Sequence, residues 1–242
     1  MIISHTYRYL FVQLPRTGST AVAHELRQLY GGTPILRKHS TYEDFQKIAT
    51  PEEKRYFVFS CIRNPLDDAV SHYFKCKTDH KGNFTKPQRL ERRKGLVNQL
   101  DYEIFEYLRR TDADFATFFL KFYRTPYNNW ASLSHRTFNY VMRFENLVAD
   151  FATVLEQIGI EPKRPLPHIN PTARRTRSYI SYYDTPEVIA RAKWVFGPFM
   201  QEWGYEFPPE WGEMQVPWWN RAQYSFLNVF RTMYWKHLRY RI

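Results

Sequence analysis

The strongest constraint on the fold is a pattern that occurs twice: an apolar, strand-like run ends in a short polar loop, and the loop opens a stripe of helical spacing. Residues 7–14 are aromatic and aliphatic with one interior charge, Arg8, and Pro15 stops them, as expected of a largely buried strand. Val22, Leu26 and Leu29 then recur at helical spacing up to Tyr30 and the Gly31-Gly32 stop. Residues 56–62 repeat the strand signature and end at Asn64-Pro65, where Asn as N-cap and Pro at the first helical position start a helix striped by Leu66, Ala69, Val70 and Tyr73. A short strand over 140–144 precedes a helix marked by Leu147, Phe151, Val154, Leu155 and Ile158 and closed by Gly159. Val188, Ile189, Ala192, Val195, Phe196 and Phe199 define a late helix. Strands alternating with helices predict an α/β fold: three layers, α/β/α, around a central parallel sheet. Its ligands would sit beyond the carboxyl ends of the strands, where both polar loops fall.

The first loop, residues 14–20, reads Leu-Pro-Arg-Thr-Gly-Ser-Thr. Backbone N–H groups and the helix dipole make such a junction an anion site. Gly18 permits close backbone approach, Thr17, Ser19 and Thr20 offer hydroxyl donors, and Arg16 adds charge. The alternative is an ordinary Ser/Thr helix cap, which needs neither Arg16 nor three hydroxyls. The glycines and lysine of the nucleoside-triphosphate P-loop are absent, which disfavours triphosphate hydrolysis. In the second loop, Arg63 ends the strand and Ser71 lies eight residues on (71 − 63 = 8), about two helical turns into the next helix. Arginine grips phosphate with its planar fork and serine adds a neutral donor.

Both loops resemble those of the sulfotransferase family. Its 5'-phosphosulfate loop typically reads Pro-Lys-Thr-Gly-Ser/Thr-Thr, matched here except that Arg16 replaces lysine, keeping the charge but not the compact point-donor geometry. Its 3'-phosphate motif is Arg-Asn-Pro followed by serine eight residues after the arginine, as Arg63 and Ser71 stand here. Three further stretches are similar to carbohydrate-acting and related bacterial members. Residues 38–45 resemble the segment bearing the acceptor-side histidine, here His39. Residues 143–147 resemble the Arg-Tyr-Glu-Asp-Leu strand end. His168 and Asn170, with Arg174, Arg175 and Tyr179, resemble the late loop that covers the nucleotide.

The resemblance implies a P-loop-like nucleotide-binding architecture and 3'-phosphoadenosine 5'-phosphosulfate as donor substrate. It assigns Arg16, Thr17, Gly18, Ser19, Thr20, Arg63, Ser71, Arg174 and Arg175 to the donor, His39 and Arg16 to catalysis, and an acceptor hydroxyl, as on a glycan, as the partner. Histidine suits proton transfer near neutral pH; His39 is read equally as a general base or as a side chain near a helix cap. His72 reads as packing, His168 as a loop orienter, and Glu145 as a solvated charge.

Composition narrows the remaining choices. Aromatics make up 18% of the 242 residues, which excludes a disordered chain. Lys and Arg number 35 against 24 acids, a formal charge of +11 that attracts polyanions without choosing among them. Eight of these cations stand in residues 75–94 against Asp79 and Glu91 with no apolar period, predicting a mobile basic insertion with no core to pack. A nucleic-acid-binding protein that used this insertion and the aromatic C-terminus is the rival from another class, and a P-loop-derived kinase a second; neither accounts for both loops, so no nucleic-acid partner is expected. No Cys/His cluster has metal-ligand spacing, and no metal is expected. Two cysteines, Cys61 and Cys76, are too few for a disulfide framework and fit a reducing compartment. With no signal-peptide pattern and no run of ~20 apolar residues, a cytoplasmic protein is expected. We expect one sulfotransferase-like domain over 1–216 and a basic aromatic tail over 217–242, in which Leu227, Phe230, Tyr234 and Leu238 share a helical face. That face would dock on the domain, on a second subunit of a homo-oligomer, or on a membrane surface.

Overall fold

In the computed structural model, residues 1–86, 96–129, 134–167 and 177–238 are described. The chain divides into two compact units, each built from two separate stretches. The sheet unit comprises Met1–Asn64 and Asn128–Pro171; the helical unit comprises Pro65–Tyr127 and Thr172–Ile242.

The sheet unit is organised by five strands: β1 (Ile2–Ser4), β2 (Tyr9–Val12), β3 (Thr33–Pro34), β4 (Phe57–Ile62) and β5 (Tyr140–Arg143), in the order β3-β1-β2-β4-β5. β2, β4 and β5 are parallel, with Tyr9 opposite Phe57 and Phe59 opposite Tyr140. The expectation of a parallel sheet holds for these three and needs correction at one edge, where β1 pairs antiparallel with β2 and β3. The cause is a tight turn over residues 5–8 in which Arg8 takes a positive φ of 54°. Tyr7 and Arg8 therefore belong to the turn, and Ile2-Ile3 folds back onto β2.

Strand alternation sends side chains to two opposite faces. Tyr9, Phe11, Phe59, Cys61 and Met142 face one side, where α1 (Ser19–Leu29) and α6 (Leu147–Gln157) contribute Val22, Leu26, Phe151, Val154 and Leu155 to a continuous core. Ile3, Leu10, Val12 and Val58 face the other, covered by Phe45 and Tyr42 of α2 (Tyr42–Ile48). Helices thus lie on both faces, as expected of a three-layer arrangement. The Tyr9 hydroxyl donates to the Tyr30 carbonyl at 2.8 Å, tying β2 to the end of α1.

The helical unit contains α3 (Pro65–Lys77), α4 (Leu96–Thr111), α5 (Phe115–Phe122), α7 (Pro186–Trp203) and α8 (Trp218–Met233). Its core is built on aromatic rings. Phe119 of α5 lies 4.9–5.6 Å from Phe115, Tyr123, Tyr183 and Phe196, in stacked, tilted and edge-on contacts. Such pairs add ~0.5–1.5 kcal/mol each beyond the area they bury. His72 packs as expected: its ring meets Phe118 edge-on, and Nε2 lies 2.9 Å from Asp101 Oδ1.

The stretch read as a basic insertion with no core differs from expectation in its described part. Lys75, Cys76 and Lys77 continue α3 with Cys76 buried, and Phe84 is buried with its ring stacked on Phe105 at 4.7 Å. Aromatic anchoring pins a segment whose charge pattern alone suggests none; residues 87–94 of it lie outside the described residues. Among the described residues no helix is long and apolar enough to cross a membrane. Both cysteines are buried free thiols, and burial pushes the Cys61 thiol well above its usual range.

Candidate anion-binding site of the sheet unit

Beyond the carboxyl ends of the three parallel strands, the chain makes three turns that meet one another. The first runs from Gln13 into α1. Arg16 and Gly18 both have positive φ, 63° and 74°, on either side of Thr17. Glycine takes this region freely, whereas arginine does so at a cost, so the surrounding contacts must hold it. They are visible. The Thr17 and Ser19 hydroxyls, both buried, donate to the Leu14 carbonyl at 3.0 and 2.8 Å. The Gln13 amide donates to the Ser19 carbonyl at 3.3 Å. Two of the three hydroxyls expected to face an anion therefore fold the loop upon itself, while Thr20 accepts from Lys38 Nζ at 2.9 Å.

The second turn follows β4. Arg63 Nη1 donates to the Arg16 carbonyl at 2.9 Å, which bridges the two loops and buttresses the strained residue. Its guanidinium lies 4.1 Å from the centroid of the Phe144 ring. Phe144 comes from the third turn, after β5, and also covers Gly18: a Cβ there would sit 2.6 Å from Leu147 Cδ2 and 3.1 Å from Phe144 Cδ2. The glycine is required both by backbone angle and by space.

Glu145 is not merely a solvated charge. Its Oε1 accepts from the Asn64 backbone N–H at 2.7 Å, holding the second loop to the third. The sequence carried a signal for this pair, because residues 143–147 were among the stretches similar to the family. What it lacked was any sign that Phe144 and Glu145 act on the other two loops.

α1 starts at Gly18 with no side chain capping it and no acid in its first turn. The Ala21 N–H closes the first turn on the Gly18 carbonyl at 2.9 Å, and the positive end of the helix dipole lies in a setting that also holds Arg16, Lys38 and Arg63. His39 is brought to the same loop. Its Nδ1 lies 2.9 Å from the Gln13 carbonyl, which can only accept, so Nδ1 carries the hydrogen and, in the neutral ring, Nε2 is the basic nitrogen. The sheet unit therefore gathers Arg16, Thr17, Gly18, Ser19, Thr20, Arg63 and His39. Ser71 lies in the helical unit, fully buried on α3. Arg174 and Arg175, with His168 and Asn170, lie outside the described residues. Among the described residues no group of three His, Cys, Asp or Glu could hold a metal ion.

The sheet unit is thus an α/β core in which a glycine loop opens α1 beside Arg16 and Arg63. A model of the sulfotransferase family matches residues 1–193. The chain belongs to that family, and sulfuryl transfer is its chemistry. No curated protein and no solved structure matches it significantly.

Proposed function

We propose that this sulfotransferase uses 3'-phosphoadenosine 5'-phosphosulfate as donor and a hydroxyl of a carbohydrate as acceptor. The observation that carries the reading is the uncapped start of α1 at Gly18, locked by Phe144 and bridged to Arg63 through the Arg16 carbonyl. On this reading the 5'-phosphosulfate lies on residues 16–20. The family resemblance assigns Arg63 and Ser71 to the 3'-phosphate, and Arg174 and Arg175 to the donor. The acceptor oxygen attacks sulfur in line as the bond from sulfur to the bridging oxygen breaks, and adenosine 3',5'-bisphosphate leaves with the electron pair. Arg16 neutralises charge on that oxygen. His39, its Nδ1–H directed to the Gln13 carbonyl, takes the acceptor proton at Nε2. Positioning and charge neutralisation supply most of the acceleration, as in phosphoryl transfer. The carbohydrate assignment rests on the similarity of residues 38–45 and 143–147 to carbohydrate-acting members.

The test is calorimetry with adenosine 3',5'-bisphosphate and with the same nucleotide lacking its 3'-phosphate, beside labelled-donor transfer to a panel of glycans, alcohols, phenols and tyrosine peptides. Loss of the 3'-phosphate should weaken binding at least about tenfold, as two lost charge-assisted bonds would. Arg63→Ala should remove most of that preference. His39→Ala should leave binding intact and lower kcat by ~10²- to 10⁴-fold. Equal affinity for the two nucleotides would overturn the donor assignment, and transfer confined to phenols or peptides would overturn the carbohydrate.

A further inference from the structure

The last described α-helix, α8, is docked in a way that inverts the usual arrangement. Ordinarily an amphipathic helix turns its apolar stripe inward. α8 instead attaches by polar groups: Asn220 Nδ2 donates to the Trp194 carbonyl at 2.9 Å, the Tyr224 hydroxyl to Glu202, and Arg231 Nη2 to the Pro126 carbonyl at 2.6 Å. Asn220 and Tyr224 are buried. The opposite face carries Trp218, Trp219, Phe226, Val229, Phe230 and Met233, each half or more exposed and Trp218 80% exposed. Phe226, Val229, Phe230 and Met233 repeat at intervals of three and four, so they form one stripe, and the Phe226 and Phe230 rings touch at 4.9 Å between centroids. The expected docking face through Leu227 and Phe230 needs correction for α8: Phe230 stands on the exposed stripe, and the docking contacts come from Asn220, Tyr224 and Arg231.

We infer that the outward face of α8 lies on an anionic lipid surface. Scattered exposed apolar residues are ordinary, but a contiguous aromatic stripe on one helix marks a contact surface. Charge selects the occupant. Apart from Arg231, which is taken up in docking, residues 214–242 hold Arg221, Lys236, Arg239 and Arg241 and no Asp or Glu, within a chain of net charge +11. A second copy meeting this face through a two-fold axis would set like charges against one another. A leaflet of anionic lipid accepts the phenylalanines among its acyl chains, the tryptophans at its headgroups and the cations at its surface.

The full chain should be sedimented with vesicles of phosphatidylcholine containing phosphatidylglycerol, and with phosphatidylcholine alone, at low and moderate salt. Partition onto the anionic vesicles is expected, weakening as salt rises and weak or absent on the neutral ones. The pair Phe226→Ser and Phe230→Ser should lower it by at least about tenfold, with the melting temperature unchanged because both side chains are exposed. Should that pair fail to fold, Trp218→Ser serves instead. Arg221→Gln with Lys236→Gln should flatten the salt dependence. Absence of partition, or partition undiminished in the serine variants, overturns the proposal. A dimer in lipid-free buffer that the serine pair dissociates, without vesicle binding, overturns it in favour of contact between copies.

Discussion

The sheet unit and the helical unit solve the burial problem differently. In the sheet unit, backbone ladders carry aliphatic and aromatic side chains into two thin cores, and the positions that matter most are backbone positions: Gly18, Arg16 and the carbonyls of Leu14 and Gln13. In the helical unit, interlocked rings do the packing, and polar side chains are spent on docking α8. A substitution should therefore act on the two units through different observables, folding in the helical unit and anion binding in the sheet unit.

The largest expected effect on stability is Phe119→Ala. The ring is fully buried and contacts four other rings, so truncation should leave a cavity and cost about 3–5 kcal/mol. Denaturant unfolding of the chain measures it. A loss below about 1 kcal/mol would mean that the ring cluster is loosely packed and that the contrast between the units is wrong.

Gly18→Ala should cost less stability and more function. The left-handed backbone charges alanine roughly 1–2 kcal/mol, and the new methyl overlaps Leu147. The loop must shift to make room, carrying the Arg16 carbonyl away from Arg63. Bisphosphate affinity should fall by more than the change in melting temperature suggests, as measured by calorimetry on the folded variant. Unchanged affinity would separate Gly18 from the anion site.

How much of this was legible in the sequence follows from the same contrast. The three parallel strands were readable as apolar runs, and α1, α3, α6 and α7 as helical stripes bounded at one end by Gly, Pro or a polar cap. The antiparallel edge was not, because three residues of β1 are too few to show alternation and the turn depends on Arg8 taking a positive φ, which only Gly or Asn would advertise. In the site, the residue types of residues 16–20 pointed to an anion, but their division of labour did not. Whether a hydroxyl faces a ligand or the Leu14 carbonyl is decided by loop geometry, which spacing does not encode. Phe144 and Glu145 escaped for a related reason: they act on loops far away in sequence. In α8 the spacing grouped Phe230 with Leu227, Tyr234 and Leu238 on one docking face; the sequence did not show that Asn220 and Arg231 dock the helix by polar contacts, which breaks the usual rule and leaves Phe230 exposed.

The smallest expected effect tests whether the sheet unit also relies on side-chain charge. Glu25 of α1 is buried, and Arg164 grips it with both arms of its fork, Nε to Oε2 at 2.9 Å and Nη2 to Oε1 at 2.7 Å. The Arg164 guanidinium holds the Glu25 carboxyl below its usual range, against burial, which pushes it up. A carboxyl depressed in the folded state contributes stability that is present above its unfolded pKa of 4.5 and is lost as pH falls through the folded value. Arg164→Gln removes the opposing charge, leaving burial, which raises the carboxyl, against only the His24 ring at 3.4 Å, which lowers it. The wild type should then exceed the variant in melting temperature by a few degrees at neutral pH, and the gap should close on acidification below about pH 4 as the carboxyl protonates in both. Because Arg164 is half exposed, solvent screens part of the pair and the difference should shrink in high salt. A gap that stayed constant from neutral to acid pH would assign the effect of Arg164 to the packing of its stem rather than to its charge. The sheet unit would then resemble the helical unit more closely than the loop geometry implies.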